Sequence, residues 1–103
     1  AVFMPYVLER NKEAIEEKMI YVARYIGLSN YSFEGLMQWI LDLRKELDIP
    51  HTLKELINDS TKFDEMSKMA FKDPSTGGNP IALNENDFFD LYAKSYEGIL
   101  DSI

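Results

Sequence analysis

The chain has 103 residues, of which 46% are hydrophobic, with no Cys and a net charge of −7. That length and apolar share predict one globular domain with a core, not a disordered chain. The missing Cys excludes disulfides, zinc–thiolate sites and a thiol nucleophile, and fits a reducing cytoplasm. The acidic balance argues against a nucleic-acid surface and against anionic membranes.

The opening AVFMPYVL is apolar, with no initiator Met, no basic run and no cleavage site. It does not read as a secretory signal, which would need a charged start and a small-residue cleavage site, and eight apolar residues cannot span a bilayer. It reads as a chain continuing from an upstream element. Val2–Asn11 is expected to be the tail of a buried helix, with Pro5 tolerable in a first turn. Val2, Phe3, Tyr6 and Val7 are expected to form an exposed apolar face where the upstream part packs, a face that invites self-association.

Lys12–Ile26 reads as an amphipathic helix. Ile15, Met19, Val22, Ala23 and Ile26 share one face, and Gly27 is a natural stop. Ser32 can cap the next helix, which runs to about Leu47. Its stripe is Leu36, Ile40, Leu43 and Leu47, widened by Phe33, Met37 and Trp39. Asp42, Arg44, Lys45 and Glu46 are placed towards water, and Pro50 ends the helix. Thr52 and Glu55 have capping-box spacing, so a short helix should run from there to about Ile57.

Asn58-Asp59-Ser60 reads as a turn. Thr61–Phe71 is a further helix with Phe63, Met66, Met69 and Ala70 inward. Asn84 should cap a last helix, with Asp87 in its first turn, where negative charge suits the helix dipole. Phe88, Leu91, Tyr92 and Tyr96 supply its apolar face, Gly98 stops it, and Ile99–Ile103 is a tail. No stretch alternates apolar and polar residues, so no sheet is expected. The fold class is all-α: a single domain over residues 1–103, a bundle of five to six helices.

Between the last two helices lies Lys72–Asn84, KDPSTGGNPIALN. Pro74 and Pro80 fix φ and push Asp73 and Asn79 towards extended geometry. Gly77-Gly78 permits backbone angles that residues with a Cβ avoid. The segment is a Gly-rich interhelical loop, either a plain connector or a functional edge presented by a rigid scaffold.

No complete catalytic set is visible. His51 is the only His, and one imidazole cannot hold a catalytic metal alone. It reads as a residue just outside a helix start. Glu13 with Glu17, Asp64 with Glu65 and Glu85 with Asp87 sit on polar faces or helix starts, without the burial that would split their pKa values. Asp73–Asn79 is not a phosphate-binding P-loop, because no Gly-Lys-Ser/Thr follows. No strand precedes it, so a dinucleotide fingerprint fails too. Trp39, Tyr21, Tyr25, Phe33 and the methionines Met19, Met37, Met66 and Met69 at helical spacings read as core.

Three segments together resemble the C-terminal helical domain of the iron-dependent alcohol dehydrogenases. Asp73-Pro74-Ser75-Thr76-Gly77-Gly78-Asn79-Pro80 resembles that family's D-x-C-T-G-G-N-P-R motif. Ile49-Pro50-His51-Thr52-Leu53-Lys54-Glu55-Leu56 resembles its I-P-x-T/S-L-x-E-L segment. Ala1–Asn11 resembles the helix that follows its H-G-x-x-N-A element. Ser75 stands where the family commonly has Cys, and Ile81 where it has Arg.

The resemblance implies a later part of the helical domain, inactive alone. The parent would be a two-domain enzyme that transfers hydride between an alcohol and NAD(P). Iron, or sometimes zinc, would be held upstream by one Asp and three His, so this chain carries no metal ligands and no catalytic residue. Its partner would be the upstream nucleotide- and metal-binding part of the same enzyme, with a homo-oligomer also allowed. Ser75, Thr76, Gly77, Gly78 and Asn79 would line the substrate and cofactor cleft. From the residues alone, a free-standing helical interaction module and a degenerate remnant remain alternatives.

Overall fold

The computed structural model describes residues 2–57 and 59–101. The expected turn at Asn58 and the outer ends of the terminal segments lie outside those residues. Five α-helices and no strand are found among the described residues: α1 Met4–Arg10, α2 Lys12–Tyr25, α3 Phe33–Glu46, α4 Phe63–Lys72 and α5 Glu85–Glu97. The expected short helix after Thr52 is a 3-10 turn, Leu53–Glu55, and a second 3-10 turn, Pro74–Gly78, lies within the Gly-rich segment.

The helix ends follow local chemistry. Pro5 falls in the first turn of α1, where its missing N–H costs no hydrogen bond. Ser32 accepts from the backbone N–H of Gly35 at 2.9 Å and starts α3. The Thr52 N–H donates to Glu55 at 3.0 Å, which closes the expected box over a single 3-10 turn. Asn84 and Asp87 form a second, reciprocal box, with N–H bonds of 2.9 and 2.8 Å. Gly27 and Gly98 both adopt the left-handed conformation that stops a helix, at φ 80° and 78°.

Packing makes two helix pairs. α2 lies against α3, α4 lies against α5, and α1 touches α2, α3 and α5. The first core joins Met19, Ala23, Phe33, Leu36 and Met37. The second joins Tyr6, Leu83 and Leu91, and Leu100 packs against both cores. An aromatic group closes the second pair: Phe63 stacks on Tyr92 at 5.7 Å and meets Tyr96 edge-on at 5.6 Å. α4 and α5 each bury a serine. Ser67 and Ser95 donate to the Phe63 and Tyr92 carbonyls of their own helices, so neither hydroxyl is left unpaired.

Several expected faces are rotated. The inward face of α3 is Phe33, Leu36, Met37 and Ile40, whereas Leu43, Leu47 and Trp39 are exposed. Arg44, expected in water, continues that inward face and is only 6% exposed. Its guanidinium donates to the carbonyls of Pro50 at 2.9 Å and His51 at 3.2 Å, with Val2 at 3.4 Å. A long stem lets the charged head pass over the core to backbone acceptors. Val22, Ile26 and Met69 are exposed rather than inward.

The opening segment is also corrected. Tyr6 is 2% exposed, not part of an open face. Its hydroxyl donates to the His51 carbonyl at 2.6 Å, and its ring packs with Leu83 and Leu91. Val2, Phe3 and Val7 are half-buried. Phe3 meets Tyr92 edge-on at 5.6 Å.

Candidate functional site

The Gly-rich segment begins where α4 ends. Asp73 is extended, at φ −67° and ψ 127°, and so is Asn79, at φ −70° and ψ 136°. Both conformations are what the following prolines impose. Between them the chain makes one 3-10 turn. Asp73 organises its start: its Oδ1 accepts from the Ser75 N–H at 2.9 Å and from the Ser75 hydroxyl at 2.6 Å. Those two bonds hold the Asp73 carboxyl below the usual aspartate range, with the hydroxyl bond the larger cause.

Two further side chains tie the turn to the scaffold. The Thr76 hydroxyl donates back to the Ala70 carbonyl at 2.5 Å. Asn79 exchanges two hydrogen bonds with Asn11, each of 2.8 Å, and donates a third to the Ile81 carbonyl. The segment is therefore anchored at both ends without the Arg that the motif commonly carries at position 81.

Gly77 and Gly78 do not use the freedom that glycine offers. Neither adopts a positive φ, and a Cβ built on either meets nothing within 4 Å. Nothing within the described part of this chain calls for a glycine at these positions.

The segment forms the rim of a pocket of about 340 Å³. Ser75, Thr76, Gly78 and Asn79 line it, over an apolar floor of Val7 from α1, Leu83, and Phe88 and Leu91 from α5. Gly77 stands outside that lining. The five singled-out residues are thus brought together, four on a pocket wall and one beside it. Sequence reasoning misses the floor, because it places Val7 on an open end face and Phe88 and Leu91 in the helix core. It misses Asn11 as well, because nothing local links that residue to a position 68 residues away.

A larger cleft of about 600 Å³ opens elsewhere, between the end of α3 and Ile49–His51. Its charged lining is mixed, with Asp42, Asp48 and Glu55 against Arg44 and Lys45. The His51 ring lies 3.3 Å from the Gly98 carbonyl and 3.5 Å from the Tyr6 hydroxyl. Burial pushes the Tyr6 hydroxyl up, and the Arg44 guanidinium opposes that. His51 thus stands just ahead of the Thr52 cap, among backbone and phenol oxygens.

No group of three or more His, Cys, Asp or Glu side chains that could hold a metal ion occurs among the described residues. Two of the paired acids, Asp64 and Asp87, have structural partners. Asp87 accepts from the Asn84 N–H in the first turn of α5 and meets Arg10 at 2.7 Å, and Asp64 meets Lys68 at 3.5 Å. No helix among the described residues is long and apolar enough to cross a membrane.

Residues 1–96 match the family model described as the Fe-containing alcohol dehydrogenase family, C-terminal. A butanol dehydrogenase of Clostridium saccharobutylicum, described as NADPH-dependent, is 33% identical over 95% of this chain and 27% of its own length. A choline dehydrogenase of Bacillus subtilis is 30% identical over 93% of this chain and 25% of its own length. An alcohol dehydrogenase of Thermococcus barophilus is 30% identical over 93% of this chain and 26% of its own length. The chain thus spans about a quarter of the length of these relatives. With nearly its whole length matched, it belongs to the Fe-containing alcohol dehydrogenase family and corresponds to that family's C-terminal part.

Proposed function

We propose that this chain is the C-terminal helical part of a longer, metal-dependent and NAD(P)-linked alcohol dehydrogenase. In that reading the segment Ser75–Asn79 forms one wall of the cleft where alcohol and dinucleotide meet. The metal ligands and the nucleotide domain belong to the rest of the protein. The family's iron finds no ligand set among the described residues, so no chemical step runs through it here. The relatives' names range from butanol to choline, so the reaction class carries over and the particular alcohol does not.

One observation carries the cleft reading. Gly77 and Gly78 have open space where a side chain would go and ordinary φ values. A side chain is missing there without any need inside this chain. A surface outside the chain that must come close supplies the need. The neighbouring groups suit such a wall: a short hydroxyl at Ser75, pinned by Asp73, beside an apolar floor. The wall shapes the cleft and excludes water; it donates no proton and no ligand.

Ser75→Trp in the full-length protein tests this. Its expected effect is a higher KM, or a changed preference among alcohols of different size, with metal content unchanged. Unchanged kinetics across a series of alcohols would remove Ser75 from the cleft. No observation favours the alternative of a free-standing interaction module.

A further inference from the structure

Three consecutive residues at the end of α1 reach three separate places in the second half of the chain. Glu9 accepts from the Asp101 N–H at 2.9 Å. Arg10 donates to Asp87 at 2.7 Å. Asn11 and Asn79 exchange two amide hydrogen bonds of 2.8 Å each.

Asn11 is both the last cap of α1 and the first cap of α2, yet its side chain makes no hydrogen bond to either helix. Asparagine at a helix start ordinarily bonds the N–H groups of its own first turn. Here that capacity is directed across the fold, from a residue only 4% exposed. A reciprocal amide pair fixes both distance and orientation, because each side chain supplies one donor and one acceptor. A reciprocal pair of this kind, with Asn11 buried and Asn79 half-buried, favours a single arrangement.

Asn79 and Asp87 bracket the exit of the Gly-rich segment. Leu83, between them, is buried in the second core. Holding both brackets from adjacent residues of one rigid helix sets the height and tilt of the whole segment. We propose that Asn11, with Arg10 beside it, is a positioning residue: it locks residues 75–79 in the pose that faces substrate and dinucleotide. This rests on the cleft reading above. The lock acts through the wall, and neither residue touches the reacting atoms.

The experiment uses the full-length protein with Asn11→Ala, Asn79→Ala and the double variant. Two quantities are read: amide hydrogen exchange across residues 74–79, and KM and kcat for an alcohol and NAD(P). Asn11→Ala should speed that exchange and raise KM about tenfold, the scale of two lost hydrogen bonds, and Asn79→Ala, which also loses its bond to the Ile81 carbonyl, at least as much, each with kcat changed by less than about threefold. The double variant should be no worse than the worse single, since both remove the same pair. Exchange unchanged in Asn11→Ala, or single effects that multiply in the double, would overturn the lock.

Faster exchange with unchanged KM would also overturn the positioning role. Ser75→Trp, measured in parallel, then locates the fault. If Ser75→Trp is silent too, the cleft reading has failed. If it raises KM, only the positioning has failed. Should Asn11→Ala not fold, Asn11→Asp keeps the side chain's shape but sets one carboxylate oxygen against the Asn79 side-chain oxygen Oδ1. The same confined exchange and KM changes are expected from it, and their absence counts against the proposal in the same way.

Discussion

Gly98 and Gly78 lie about twenty residues apart and answer to different constraints. Gly98 sits at φ 78°, and a Cβ there would stand 2.7 Å from the Thr52 methyl and 3.2 Å from the His51 ring. Gly98→Ala should therefore destabilise the chain by about 2 kcal/mol, the cost of a left-handed residue with a Cβ plus crowding. Gly78→Ala meets no neighbour and keeps an ordinary φ. It should stabilise the chain by roughly 0.5 kcal/mol, by narrowing the unfolded ensemble. In the full-length protein, on the proposed cleft reading, the same change should raise KM for the alcohol. Denaturant melts and steady-state kinetics on the two variants check both halves of the contrast.

The sequence makes one of these glycines readable and not the other. Gly98 closes a run of helical spacing, so its role as a stop is plain from the residues alone. Gly77-Gly78 suggests unusual backbone angles, whereas the fold holds the pair at ordinary angles with vacant surroundings. Arg44 is unreadable for a different reason. A charge at a helical position reads as solvent-facing, and only tertiary structure shows backbone carbonyls gathered beneath it. Tyr6 likewise becomes a core residue because a distant carbonyl, that of His51, satisfies its hydroxyl.

At the scale of elements, most starts and stops are legible because caps act locally. Ser32, Thr52, Asn84, Gly27 and Gly98 each bound a helix or turn as their residue types dictate. Which face of each helix turns inward is less legible. The apolar residues of α2 and α3 are too many for one face, so spacing alone leaves the rotation free. The start of α5 combines both kinds of information. The Asn84 N–H and, after it, Arg10 hold the Asp87 carboxyl below the ordinary aspartate value of 3.8. A carboxyl depressed in the folded state adds stability above that ordinary value, and the gain is lost as pH falls through the folded value. Asp87→Asn should thus lower the melting temperature at pH 7 by a few degrees, roughly 1 kcal/mol. The gap to the parent chain should close as pH drops below about 4. Thermal melts from pH 7 down to 3 measure this, and a gap that stays constant would remove Asp87 from the acid limb.

At the scale of the whole molecule, two helix pairs are joined by one short helix that touches three of the other four. That helix carries Tyr6, Val7, Glu9 and Arg10 and ends at the Asn11 cap, so it links the cores, the pocket floor and the loop's ties. The outward faces stay apolar at Tyr21 and Tyr25 on α2, at Trp39 and Leu43 on α3, and at Leu47 just past its end. Exposure on that scale fits a part of a larger body better than a self-sufficient domain. The relatives, about four times as long, supply such a body. The central claim is that residues 75–79 face the remainder of the enzyme across its cleft. Amide hydrogen exchange of residues 74–79 in the full-length protein, with and without NAD(P) and alcohol, tests it most directly. Slower exchange in that segment on ligand binding, with little change at the far end of α2, is the expected result. Exchange at 74–79 indifferent to both ligands at saturation would contradict it.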